Sequence, residues 1–333
     1  MIACGVPRLA ADIVPRDIPT QYPEAIVSVR QLLITADDYG IGPETSRGIL
    51  AAARCGAITS SVLLVNSPFA ERMVREWDKA GRPLELGWHP CLTLDKPILP
   101  PGRVPSLVGA DGRFHNLGRL MKLIALGRIN AGEVRAEFRA QLERFIEIVG
   151  NPPPNVNAHH HIHVFRIVID VLMDVLGDVE PKPFVRRVVE SRRTLWSVSG
   201  ARLKRGFLAF RGRSAARRQV LRGFPGNQTL LGVTDPKYVS DPEFFLRWLS
   251  SSRGQLVELA CHPGYPDPTL DGRDDDPLMR RPHELDRLLA PQFVKAVRAA
   301  GFHLVTASEM AESCQNQERP ITRKWPSLTP FSH

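Results

Sequence analysis

Short runs of apolar, β-branched residues alternate with helical periodicity along most of the chain, and this alternation limits the fold more than any other feature. The runs are 31–37, 59–65, 84–93, 155–164, 183–189, 255–262 and 302–307. Between them, 43–55, 68–80, 131–149, 166–177, 241–252 and 284–300 carry helical patterns, some with start signals such as Pro43 and Asp241-Pro242-Glu243. Strands separated by helices cannot close as tight hairpins, so the pattern predicts an α/β fold with mostly parallel strands, as an open sheet or a barrel. The 333 residues accommodate one barrel-like domain over 31–312, with an N-terminal extension at 1–30 and a polar tail at 313–333. Two insertions interrupt the rhythm, a Pro/Gly-rich loop at 95–116, long enough to be a lid or binding loop, and a basic segment at 191–234.

Hydrophobic residues make up 43% of the chain and charged residues 24%, which excludes global disorder. No run approaches the roughly 20 apolar residues that span a bilayer. The first residues lack a basic stretch followed by a long apolar one, so a cytoplasmic location is expected, with association at the inner membrane face open. The five cysteines are odd in number, widely spaced and without a CxxC pair, and are expected as reduced thiols.

The net charge of +9 is unevenly spread. Between Glu190 and Asp235 there is no acid, while ten basic residues lie between Arg192 and Arg222. Interleaved with Leu203, Phe207, Leu208, Phe210, Val220 and Leu221, they fit a peripheral membrane contact through 199–222. An arginine-rich helical hairpin over the rim of the fold is the equal alternative. Nucleic acid is not an expected partner, because aromatic platforms and known binding motifs are missing. A homodimer is compatible with the sequence.

The titratable residues that stand out sit where the apolar runs end. "ITADDYG" delivers Asp37 and Asp38 to the C-terminal end of the first run, the side on which barrels and open α/β sheets carry their active sites. One such acid can bind a cation while the other serves as base. "LGWHPCLTL" adds His89 and "VELACHPGYPDP" adds His262. In "NAHHHIHVF", a strand of period two puts His159, His161 and His163 on one face and His160 on the other, next to Val156, Ile162, Val164 and Phe165. Three imidazoles on a core-facing side need partners, and a metal or polar cleft supplies them. One Asp and two His from separate strand ends make a mixed N/O site with open positions, suited to Zn2+ first and also to Fe2+, Mn2+ or Ni2+. The same set describes the facial triad of non-haem iron oxygenases, although the βα pattern argues against their usual β-sandwich scaffold. A basic membrane-surface module without catalysis leaves the strand-end placement of these residues unexplained.

The ordered set "TADDYG", "GWHPCLTL", "NAHHHIHV", "VRRVVE" and "ELACHPGY" resembles the YdjC-like carbohydrate deacetylases, the group containing chitooligosaccharide and hopanoid-associated deacetylases, over roughly residues 31–310. The resemblance implies a distorted (β/α) barrel and metal-dependent hydrolysis of the acetamide of an N-acetylated sugar or glycolipid to a free amine and acetate. It implies Asp37 as general base, Asp38, His89 and His159 as ligands of a divalent metal (Zn2+, or Mg2+, Mn2+, Ni2+ or Fe2+), and His262 as general acid or oxyanion-stabilising group. Arg186 is implied beside the base. Trp88, His161, His163 and Tyr265 are candidates for touching substrate or buttressing the ligands, with His161 the alternative third ligand. Asn157-Ala158 stands where the chitooligosaccharide enzymes commonly have Asp-Ser, closer to the hopanoid-type members.

Overall fold

Strand β1 (Arg30–Tyr39) is ten residues long and almost wholly buried, as befits a strand covered on both faces. The structure, a computed structural model, describes residues 30–235, 238–273 and 280–318. The expected extension 1–30 falls almost entirely outside the described residues, as does the tail beyond 318. After β1 come α1 (Pro43–Arg54), β2 (Ser60–Leu63), α2 (Ala70–Lys79), β3 (Glu85–Trp88), α3 (Leu117–Ala125), α4 (Ala131–Val149) and β4 (Asn155–Val156). A 3-10 helix at His159–Val164 leads to α5 (Arg166–Val175), β5 (Phe184–Val185), α6 (Arg192–Ser197), α7 (Arg202–Leu221) and β6 (Thr229–Leu231). The chain finishes with α8 (Phe244–Ser251), β7 (Leu256–Cys261), α9 (Arg280–Leu289), α10 (Gln292–Ala299), β8 (Phe302–Leu304) and α11 (Ala307–Glu318).

The strands pair in the order β5-β4-β3-β2-β1-β7-β6, with β8 added to β1. Each of these pairings is parallel, as the alternation predicts, and the sheet forms the distorted (β/α) barrel that the resemblance implies. β1 serves two neighbours on one edge, β8 along Arg30–Leu32 and β2 from Thr35 onward, while β7 lines the other edge from Gln31 to Ala36. Beyond β5, Leu230 N–H donates to Val189 O, bringing β6 beside the segment that follows β5.

Several expected elements come out shorter or broken. The run 155–164 is strand only at Asn155–Val156, because His160 and His161 both take left-handed backbone at φ 55° and end the ladder. The helix expected at 284–300 is split into α9 and α10 at Pro291, which cannot continue a helix. The tail expected from 313 begins inside α11, where Met310, Ala311 and Cys314 pack with Leu33, Phe184 and Leu256. The loop 95–116 is tied down by the buried Glu137 of α4, which accepts from Ile98 N–H and Leu99 N–H.

The basic insertion folds as α6, α7 and β6. Its ten basic groups are not all without counter-acids, because acids from outside the insertion reach it. Arg205 pairs with Glu190, Arg218 with Asp170 and Arg222 with Asp174. α7 lies on the segment after β5 through Gly212, where any Cβ would collide with the Val188 carbonyl. Gly212→Val therefore lowers stability by about 1–3 kcal/mol, the usual cost of overpacking, and thermal melting of the variant against the parent measures it.

Candidate metal centre

The register of the sheet assembles the site. Ala36 of β1 pairs with Cys261 of β7, and Trp88, Val156 and Val185 align across β3, β4 and β5. The residue after each of these positions is Asp37, His262, His89, Asn157 or Arg186. All five therefore emerge at the C-terminal rim of the sheet, the side on which barrels carry active sites. Two adjacent acids on a regular strand would point to opposite faces. Here the β1–β2 register shifts between Ala36 and Tyr39, and Asp38 sits at φ 68°, so both carboxylates line one cavity.

Asp38, His89 and His159 converge. Asp38 Oδ1 lies 3.1 Å from His159 Nδ1 and 3.3 Å from His89 Nε2, and the two imidazole nitrogens are 3.3 Å apart. All three side chains are buried, and together they form a group able to hold a metal ion. Neighbouring ligands around a tetrahedral ion with bonds of about 2.0–2.1 Å are about 3.3 Å apart, so the donor spacing fits such a cation. His89 Nδ1 donates to the Asn157 carbonyl at 2.7 Å, which fixes the tautomer and leaves Nε2 as a lone-pair donor toward the cation. Burial alone would raise the pKa of Asp38, but Arg281 at 2.8 Å and the two imidazoles hold it well below the usual carboxylate range.

Beside the group lies a second buried cluster. Arg186, fully buried, donates Nη1 to Asp37 Oδ2 at 2.6 Å and Nη2 to Asp37 Oδ1 at 2.9 Å, while Nε reaches Glu258 Oε1 at 2.9 Å. Burial opposes the guanidinium charge, yet the two carboxylates raise its pKa above the ordinary value. Glu258 is pushed up by burial against the pull of Arg186, and also accepts from Thr35 Oγ1 at 2.9 Å. Asn157 Nδ2 adds a donor to Asp37 Oδ1 at 3.3 Å. His262 Nε2 stands 3.8 Å from Asp37 Oδ2, with Arg280 Nη2 3.1 Å from its Nδ1.

The other histidines separate in a way that period two does not describe. His160 Nδ1 meets Thr93 Oγ1 at 3.0 Å. His161 lines the cavity and is outside the convergent group. His163 turns into the core, where its Nδ1 accepts from Ala158 N–H at 3.3 Å. Trp88 is fully buried, edge-on to Phe138 with ring centroids 5.9 Å apart, and does not line the cavity; Tyr265 is 38% exposed and likewise outside it. The cavity, about 420 Å³, runs from Asp37, Asp38, His89, His159 and His262 to an apolar wall of Leu117, Met121, Val164, Phe165, Phe207 and Leu208. Sequence reasoning missed Arg281, Arg280, Glu258 and this wall. The one visible signal was Glu258, a charge inside the apolar run "QLVELAC".

Burial, and then Arg186, push the pKa of His163 down to about 3. The unfolded chain takes up this proton below a pH of about 6.5 and the folded chain does not, so stability falls as pH drops from there toward about 3. The loss is on the order of 1 kcal/mol per pH unit. His163→Asn, whose Oδ1 takes the place of Nδ1 as acceptor for Ala158 N–H, weakens that dependence in urea unfolding at pH 7 and pH 5.

The chain is similar in sequence to proteins of known name. The carbohydrate deacetylase of Homo sapiens is 28% identical over 317 residues, covering 90% of this chain and 96% of the relative. That of Geobacillus stearothermophilus is 29% identical over 284 residues, covering 84% and 98%. The chitooligosaccharide deacetylase of Proteus mirabilis (strain HI4320) is 27% identical over 222 residues, covering 63% and 83%. A crystal structure of an Enterococcus faecalis V583 protein superposes with a TM-score of 0.71 at 24% identity, over 85% of this chain and all 100% of that one, and so shares the fold. The YdjC-like protein family matches residues 31–299, and the chain belongs to that family.

Proposed function

We propose that the protein is a metal-dependent hydrolase that removes the acetyl group from an N-acetylated sugar. The observation that carries this reading is the Asp38–His89–His159 donor group beside an Arg-held carboxylate, Asp37, in one cavity. The names of the relatives, carbohydrate and chitooligosaccharide deacetylases, point the same way. Asp38, His89 and His159 would hold the divalent ion, with Zn2+ the first candidate for this mixed N/O set. When bound, it supplies Lewis-acid polarisation of the acetyl carbonyl and lowers the pKa of a water.

The chain's own groups do the rest. Asp37, oriented by both terminal nitrogens of Arg186, takes the proton of the water that attacks the acetyl carbon. Arginine can only donate, so Arg280 at His262 Nδ1 places the proton of the neutral imidazole on Nε2. Burial, and then Arg280, hold the His262 pKa well below the ordinary value. A neutral ring offering Nε2–H suits stabilisation of the developing oxyanion better than donation of a spare proton. Asp37 then returns its proton to the nitrogen as the C–N bond breaks, releasing amine and acetate. The apolar wall supports a substrate whose sugar carries an apolar substituent, so a glycolipid joins the oligosaccharides as a candidate. An iron-oxygenase reading of the same three donors is not favoured on a parallel α/β barrel of this family.

Zinc-loaded protein is expected to release acetate from N-acetylglucosaminyl oligosaccharides, and a chelator to abolish this until Zn2+ is restored. Asp37→Asn is expected to lower turnover by about 100-fold or more, the scale of losing a general base, and His159→Ala, which removes a metal ligand, by at least as much. Undiminished turnover in either variant overturns the assignment, and oxygen uptake without acetate replaces it by the oxygenase reading.

A further inference from the structure

Helix α7 is apolar on the wrong side for a helix that only packs on a barrel. At 100° per residue, Arg205, Leu208, Gly212, Ala215 and Gln219 face inward, and all are buried. The opposite face carries Leu203, Phe207, Phe210 and Leu221 within about 40° of one line. Their exposures are 93%, 43%, 72% and 86%. Trp196 of α6, 70% exposed, lies beside the start of α7, where Arg202 donates to the Trp196 carbonyl at 3.0 Å and its guanidinium lies 5.7 Å from the ring centre. Phe207 also lines the cavity, so the stripe runs from its mouth out over the surface.

Basic residues border the stripe. Arg202 and Arg213 lie on one flank of the helix, Lys204 on the other, and Arg217 within it. Among the described residues no carboxylate lies at ion-pair distance from Arg192, Arg193, Arg202, Arg213 or Arg217, and Lys204 has Asp235 as its acidic neighbour. Exposed aromatic and aliphatic side chains bordered by cations are the composition of a surface that lies in the headgroup region of an anionic bilayer. A second copy of the chain would instead bring two cationic borders together. No helix among the described residues is long and apolar enough to cross a membrane.

We propose that the outward face of α6 and α7, with Trp196, Leu203 and Phe210 as its apolar anchors, docks on an anionic lipid bilayer and turns the cavity mouth toward it. The substrate then enters from the bilayer surface; this last step rests on the deacetylase reading, whereas the docking does not.

The test is co-sedimentation of the full chain with phosphatidylcholine vesicles, with and without phosphatidylglycerol, while Trp196 emission is followed with Trp196→Phe as the control. The expected result is binding that requires the anionic lipid, weakens with salt and shifts the Trp196 signal to the blue. Leu203→Asp/Phe210→Asp is expected to lower partitioning at least tenfold with unchanged thermal melting. Reversing two border charges, Arg202→Glu/Arg213→Glu, is expected to lower it by about 30-fold or more. Acetate release from a water-soluble oligosaccharide stays unchanged in the Asp variant, so failed docking and failed catalysis are read separately. Docking is overturned by absent binding, by binding equal in the variants, or by a concentration-dependent dimer in sedimentation that the Asp variant dissolves.

Discussion

A guanidinium sealed from water has to be surrounded by acceptors, and that requirement at Arg186 organises this molecule. Its charge cannot be shed, so Asp37 and Glu258 must both stay close, and they come from β1 and β7 while Arg186 follows β5. One side chain thus ties three parts of the sheet together where the strands end. The same contact fixes the Asp37 carboxylate in two bonds, which removes the rotational freedom that a proton acceptor on a loop would have.

The neighbouring acid is treated differently. Asp38 shares one oxygen with two imidazoles and gives the other to Arg281, so it is held ionised and available as a ligand. Adjacent in sequence, the two carboxylates have separate cationic partners, and that division fits the proposed roles, Asp38 holding a metal and Asp37 accepting a proton. The backbone irregularity at Ala36–Tyr39 makes it geometrically accessible. Strain of this type persists only where surrounding contacts over-determine it.

Much of the site was legible because apolar runs stop at it. His89 and His262 follow their strands directly and Asp37 lies in the last residues of β1, and a strand's end is the part of a βα unit that a sequence marks most clearly. The histidine tract was legible in composition but not in shape. Its alternation assumed a strand through 164, whereas two left-handed residues in succession override the propensity of the flanking Val156 and Ile162. Arg281 and Arg280 could not be found, since they reach the cavity from a helix far along the chain with no spacing relation to Asp38 or His262. The short strands β4, β5 and β6 were over-extended or missed for the same reason, that long-range pairing decides where a ladder ends.

Helix α7 touches two things that are usually kept apart. Its inner face abuts Val188 through Gly212, and Gln219 Nε2 donates to the Arg186 carbonyl at 3.2 Å. The backbone that presents Arg186 to Asp37 is therefore clad by the same helix whose outer side bears the exposed aromatic residues. What reads in the sequence as an inserted basic appendage is a stave of the barrel wall, and cutting it out would strip the support from the arginine that holds Asp37.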